Sequence, residues 1–230
     1  VKVLGSEHGI GLTGVLGGLV SSTAVTLSFS QRSREEPAHS QAFVLAIVLA
    51  WTVMFVRVVV MTGVVSPPLA VSLGLALGVM AIAGLIVSLV LWRRSRSQPT
   101  GTIATGANPF ELGEAIKFGL LFGVVTVAAK AAQAYLGEAG LYLAGAVAGL
   151  TDVDAISLSM ANLAATSPES SVVAARTIVI AVLSNTLVKT GMAASIGAPA
   201  LRRTLVPTTG LLLICAVAGA VLATWFAPGV

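Results

Sequence analysis

The chain has 230 residues, of which 56% are hydrophobic and 10% charged, with a formal net charge of +4. A mean hydropathy of +0.98 excludes the surface of an ordinary water-exposed domain, and the basic residues cluster at the ends of apolar runs, so the charge reads as membrane topology and no nucleic-acid partner is expected. A lone cysteine, Cys215, within an apolar run excludes a disulfide framework and a thiolate metal cluster.

A membrane-spanning helix takes about 20 mostly apolar residues. On that measure the sequence predicts an all-α, polytopic transmembrane bundle of about seven helices, at 9–30, 41–63, 67–92, 115–136, 139–161, 171–196 and 205–227. The opening VKVLG has neither a methionine nor the pattern of a signal peptide, and an upstream segment is expected. The polar stretch 93–114, with Arg93, Arg94, Arg96 and an Asn108-Pro109 turn, reads as a cytoplasmic linker. It separates a first transmembrane repeat, 1–92, whose upstream helix is missing, from a second, 115–230. Arg32, Arg34, Arg93, Arg94, Arg96 and Lys117 fall on one side under alternating crossings, and Lys2, Lys130, Arg202 and Arg203 near the other. The loops after helices 1, 3 and 5 and the C-terminus are therefore expected in the cytoplasm of a bacterial or archaeal cell, with the chain crossing its inner membrane several times.

The repeat is visible in the residues. Gly9, Gly14, Gly18, Leu19, Ala24, Leu27 and Ser28 recur as Gly140, Gly145, Gly149, Leu150, Ala155, Leu158 and Ser159, at a constant offset of 131. Ser21 and Thr23 become Asp152 and Asp154. A second match pairs 54–63 with 182–191 at an offset of 128, aligning Arg57 with Asn185 and Met61 with Lys189. A repeat unit of four helices gives parallel copies. The small-residue seams Gly14/Gly18 and Gly145/Gly149 are expected to cross helices 1 and 5 at a shared axis, or to support a homodimer.

Asp152 and Asp154 lie near the middle of a spanning segment, where an ionised side chain costs about 2.5–3.5 kcal/mol on insertion scales. On an unbroken helix they point about 200° apart. A break at Gly149-Leu-Thr-Asp removes that conflict, and freed carbonyls then join Asp152, Asp154, Thr151 and Ser157 as hard oxygen ligands. The first copy offers Ser21, Ser22 and Thr23, and Asn185 orients the shell. The combined charge suits a divalent cation, with Asp152 and Asp154 as its direct ligands, or a proton-coupled carboxylate. Arg57, Arg176 and Lys189 also lie inside helices and offer structural neutralisation of the aspartates; Arg57 and Lys189 are the sharper candidates for counter-charge or gating.

Enzymatic motifs are absent: no phosphate loop, HExxH, CxxC or GxSxG occurs, so neither catalysis nor a resident cofactor is expected. An intramembrane aspartyl protease needs its two acids on different helices, whereas these stand two residues apart.

GGLVSSTAVTLSFSQRSRE (17–35), NPFELGEAIKFGLLFG (108–123), GEAGLYLAGAVAGLTDVDAISLS (137–159) and SNTLVKTG (184–191) resemble the signature stretches of a bacterial and archaeal membrane domain classed as domain of unknown function 4010. The resemblance covers nearly the whole chain. It implies an upstream MgtC/SapB-type domain as partner, and its association with magnesium limitation points toward divalent cations. The sequence therefore leads to a transporter or channel for inorganic cations, with the lipid bilayer and the ion as partners. Its rivals are a regulatory or assembly module without transport, its aspartates held in structural ion pairs, and an anion or organic-solute channel lined by Arg57 and Lys189.

Overall fold

Prolines open four helical elements. Pro37 and Pro168 each begin a 3-10 turn, Pro67 begins one long helix and Pro199 another, as suits a residue with φ already near the helical value and no N–H to leave unsatisfied. The computed structural model describes residues 6–95 and 134–226, together with Val127 and Ala131. Helix 115–136 and the linker 93–114 lie almost wholly outside the described residues, as do Lys2, Arg96, Lys117 and Lys130.

The described residues are helical, in the order α1 (Ser6–Glu35), α2 (Ser40–Val65), α3 (Pro67–Ser95), α4 (134–149), α5 (Asp154–Thr166), α6 (Ser171–Ile196) and α7 (Pro199–Phe226). Five are long and apolar enough to cross a membrane: Gly11–Glu35, Pro37–Val65, Pro67–Arg94, Pro168–Ile196 and Pro199–Leu222. Large apolar side chains stand exposed along them, among them Leu16, Val71, Ile86 and Ile214. Helices that close their own backbone hydrogen bonds while facing apolar groups outward suit hydrocarbon, not water. The protein is an all-helical membrane protein.

Three departures from the expected elements have local causes. The helix expected over 139–161 is two helices, α4 and α5, separated at 150–153, and Gly137 at φ 60 marks a turn near the start of α4, a left-handed conformation that only glycine adopts cheaply. α7 begins at Pro199, six residues earlier than expected, which brings Arg202 and Arg203 into a helix; Arg202 Nε donates to the Gly197 carbonyl. The third concerns the repeat. The turns Pro37–His39 and Pro168–Ser170 and the helices Ser40–Val65 and Ser171–Ile196 correspond at an offset of 131, not 128. Asn185 therefore corresponds to Met54, and Lys189 to Val58. The shared Thr-Gly pairs at 62–63 and 190–191 suggested the other register, but the proline-led turns set where each helix begins.

The chain packs as two compact units. One comprises Val1–Met54, Met80–Pro109 and Leu187–Ile214; the other Phe55–Val79, Phe110–Thr186 and Cys215–Val230. In the first, buried Phe43, Ile47, Trp51 and Met54 of α2 form the core. Phe29 stacks on Phe43 at 5.5 Å, and Trp51 Nε1 donates to Thr26 Oγ1 at 2.9 Å. A Cβ on Gly14 would stand 2.6 Å from the Ala46 carbonyl oxygen, and one on Gly18 2.6 Å from Ala50 Cα. In the second unit, Leu69, Leu73 and Leu77 of α3, Ile156 of α5 and Ile178 of α6 are fully buried. There a Cβ on Gly145 would meet the Thr177 carbonyl oxygen at 2.8 Å, and one on Gly149 the Ala181 carbonyl oxygen at 2.3 Å. Each glycine seam thus seats the later helix of its own copy, α2 or α6, where the sequence had suggested that the seams meet one another. Ala46 and Ala50 correspond to Thr177 and Ala181 at the offset of 131, so the same contact is built twice.

Candidate functional site: two broken helices

Each copy breaks its glycine-rich helix at the same place. In α1, Ser21 takes φ −159 and ψ 104, outside the helical region, and the helix resumes beyond it. Its Oγ accepts the Ala24 N–H at 3.2 Å, as an N-cap does. In the second copy the corresponding Asp152 Oδ1 accepts the Asp154 N–H at 2.7 Å, where α5 starts. Side chains of Ser and Asp compete for nearby backbone N–H groups and so favour helix starts. That preference explains why these two residue types stand at a break.

The first unit holds the break of copy one. Ser22, buried, accepts a hydrogen bond from Lys189 Nζ at 2.7 Å, and Nζ also lies 3.0 Å from Met54 Sδ. Ser22 Oγ in turn donates to the same sulfur at 3.4 Å. The turn after the break is held by Thr26 Oγ1, which donates to the Ser22 carbonyl at 2.7 Å while receiving Trp51 Nε1. Lys189, 2% exposed, is one of the largest fully buried side chains. Thr23 sits half-buried in the first turn beyond the break.

The second unit holds the break of copy two. Asp154, at the start of α5, forms an ion pair with Arg57 Nη2 from α2. Beyond the last turn of α4, carbonyl groups run out of helical partners, and α6 supplies two: Ser184 Oγ donates to the Ala146 carbonyl and Asn185 Nδ2 to the Gly149 carbonyl, each at 2.8 Å. Thr151, exposed, returns its hydroxyl to the Ala148 carbonyl at 2.9 Å. Among the described residues the carbonyls of Leu150, Thr151 and Asp152 accept no backbone N–H. Two buried side-chain oxygens beside the break, Asn185 Oδ1 and Ser157 Oγ, have no hydrogen-bond partner among the described residues.

The structure thus gathers Asp152, Asp154, Arg57, Asn185, Thr151 and Ser157 around one break, and Ser21, Ser22, Thr23 and Lys189 around the other. Among the described residues no group of three or more His, Cys, Asp or Glu side chains could hold a metal ion. What the first break can offer a ligand is hydroxyl and thioether; what the second can offer is carboxylate, carboxamide, hydroxyl and bare carbonyl. Two participants were not foreseen. Met54 became visible only with the offset of 131, which aligns it with Asn185 in the repeat, and Ser184, which caps the Ala146 carbonyl, carries no signal in the sequence.

Comparison with known proteins agrees with the residues that carried the resemblance. Over 212 residues the chain is 34% identical to a protein of Aquifex aeolicus (strain VF5) bearing the name "uncharacterized protein", covering 88% of this chain and 92% of that one. No solved structure matches. The model of the family described as "Domain of unknown function (DUF4010)" matches residues 1–197, and the chain belongs to that family.

Proposed function

We propose that the protein moves a small inorganic cation across the membrane through the break between α4 and α5. The observation that carries this reading is the state of the second break: ionisable and bare carbonyl groups occur together in a segment otherwise built from apolar helices. Interrupted helices in repeat-built transporters put such groups where ions bind, and non-helical backbone within a membrane is tolerated where it lines protein or a cavity. Asp152 and the carbonyls of 150–152 act as ligands. Arg57 is the counter-charge for Asp154, and Lys189 is a tethered cation at the first break. The chain carries out no covalent chemistry in this reading.

Arg32 and Arg34 in the last turn of α1, and Arg93 and Arg94 in the last turn of α3, support a reading in which those ends face the cytoplasm across the inner membrane. An MgtC/SapB-type domain upstream is the partner that the family resemblance implies. The test is cation flux into proteoliposomes. Flux should fall to background in the Asp152→Asn/Asp154→Asn variant; unchanged flux in a folded variant would end the proposal.

A second reading has one observation in its favour, the Arg57–Asp154 ion pair. Here the protein is a regulatory or assembly module whose charges serve the fold. Absence of flux for every inorganic cation tried, with the folded protein still capturing a membrane partner, would select it.

A further inference from the structure

Resting on that reading, we infer that the second break takes a dehydrated monovalent cation such as Na⁺, with Asn185 and Ser157 as specificity-determining ligands. The divalent ion that the paired aspartates suggest is disfavoured. Asp154 is paired with Arg57, and among the described residues at this break the carboxylate of Asp152 is then the remaining formal charge. A monovalent ion balances it. A divalent ion would leave an unmatched positive charge in a low-dielectric segment, which is expensive.

The ligand types point the same way. Asn185 is 2% exposed and Ser157 wholly buried. The Asn185 amide is oriented by the Gly149 carbonyl, which can only accept, so nitrogen must face it and Oδ1 is left as an acceptor. Nδ2 is bonded to the last residue of α4, which ties the carboxamide to that side of the break. Ser157 lies on α5, one turn beyond Asp154, its N–H bonded to the Val153 carbonyl and its hydroxyl without a partner among the described residues. A buried polar atom left without a partner costs free energy, and a cation supplies a partner for both oxygens. Asp152 uses Oδ1 on the Asp154 N–H, which leaves Oδ2 for the ion. Neutral carboxamide, hydroxyl and carbonyl oxygens around one carboxylate form a weak-field set. Ca²⁺ affinity rises with the number of charged ligands, and Mg²⁺ dehydrates reluctantly and keeps several waters, so neither suits a mostly neutral protein-oxygen set.

The experiment is isothermal titration of the full purified chain with NaCl, LiCl, MgCl₂ and CaCl₂, in a buffer whose only other cation is N-methylglucammonium. Wild type should bind Na⁺ or Li⁺ and leave Mg²⁺ and Ca²⁺ unbound. Ser157→Ala should weaken Na⁺ affinity by about tenfold or more while thermal stability without Na⁺ is equal or higher, an outcome that a structural hydroxyl would not produce. Asp152→Asn, which keeps an oxygen to accept the Asp154 N–H, should abolish binding without unfolding. Preference for Mg²⁺ or Ca²⁺, still lost in Asp152→Asn, would overturn the monovalent inference and leave the cation reading standing. Na⁺ binding indifferent to both variants would place its site elsewhere and overturn the inference. Binding of none of the four ions would overturn the inference, and the flux assay with other inorganic cations would then decide the cation reading separately.

Discussion

The two broken helices start from one duplicated sequence and reach opposite electrostatic solutions. At the first, the acceptors include a serine hydroxyl and a methionine sulfur, and the cation is Lys189 of the second copy. At the second, the acceptor is the carboxylate of Asp154 and the cation is Arg57 of the first copy. The equivalent positions Met54 and Asn185 show the divergence in one residue. The thioether accepts from a lysine, whereas the carboxamide donates to a carbonyl and keeps an oxygen in reserve. A duplicated scaffold therefore preserves where the helix opens while the chemistry of each opening drifts independently.

The largest effect should come from removing a charge partner. Asp154→Ala takes away the carboxylate that neutralises Arg57 and should cost about 3 kcal/mol, the low end for a buried pair, because the Arg57 and Asp154 side chains remain 21% and 11% exposed. Ser22→Ala removes a hydroxyl acceptor from Lys189 and should cost about 1.5–3 kcal/mol. Denaturant unfolding in micelles would rank the two, and a Ser22→Ala cost clearly above that of Asp154→Ala would break the comparison drawn here.

The glycine seams sharpen it from the other side, since here the copies should agree. Gly18→Leu and Gly149→Leu each force a side chain into the backbone of α2 or α6, at about 1–3 kcal/mol of overpacking or more. Unequal thermal shifts for the two variants would mean that only one seam is tightly closed. Replacing the cap of the first break, Ser21→Ala, should cost about 1 kcal/mol, readable as a small drop in melting temperature. The smallest effect belongs to Gly78→Ala in α3, where an added Cβ would meet nothing within 4 Å; a gain of about 0.5–1 kcal/mol is expected from helix propensity.

Much of this was legible beforehand because it rests on local chemistry. Apolar run length named the spanning helices at 41–63, 67–92 and 171–196 to within a few residues of α2, α3 and α6, since a bilayer imposes length directly. The break at 150–153 was also legible, because two acids 200° apart in an apolar helix conflict with its geometry. The register of α2 against α6 was not. A Thr-Gly pair recurs at the wrong offset by chance, while the correct one is carried by Ala46, Ala50, Thr177 and Ala181, small residues whose meaning appears only when a glycine is seen against them.

The amino-acid sequence by itself determined that this is a helical membrane protein built by duplication, that its second glycine-rich helix opens beside two aspartates, and that buried basic residues must find partners. Periodicity, length and the cost of an isolated charge act within a segment, so they can be read from it. Only the tertiary structure decided that Arg57 goes to Asp154 and Lys189 to Ser22, and that Asn185 caps α4 while keeping Oδ1 in reserve. Those choices join residues 97, 167 and 36 positions apart. Packing geometry selects among several chemically adequate partners at such separations, and local sequence holds no term that ranks them.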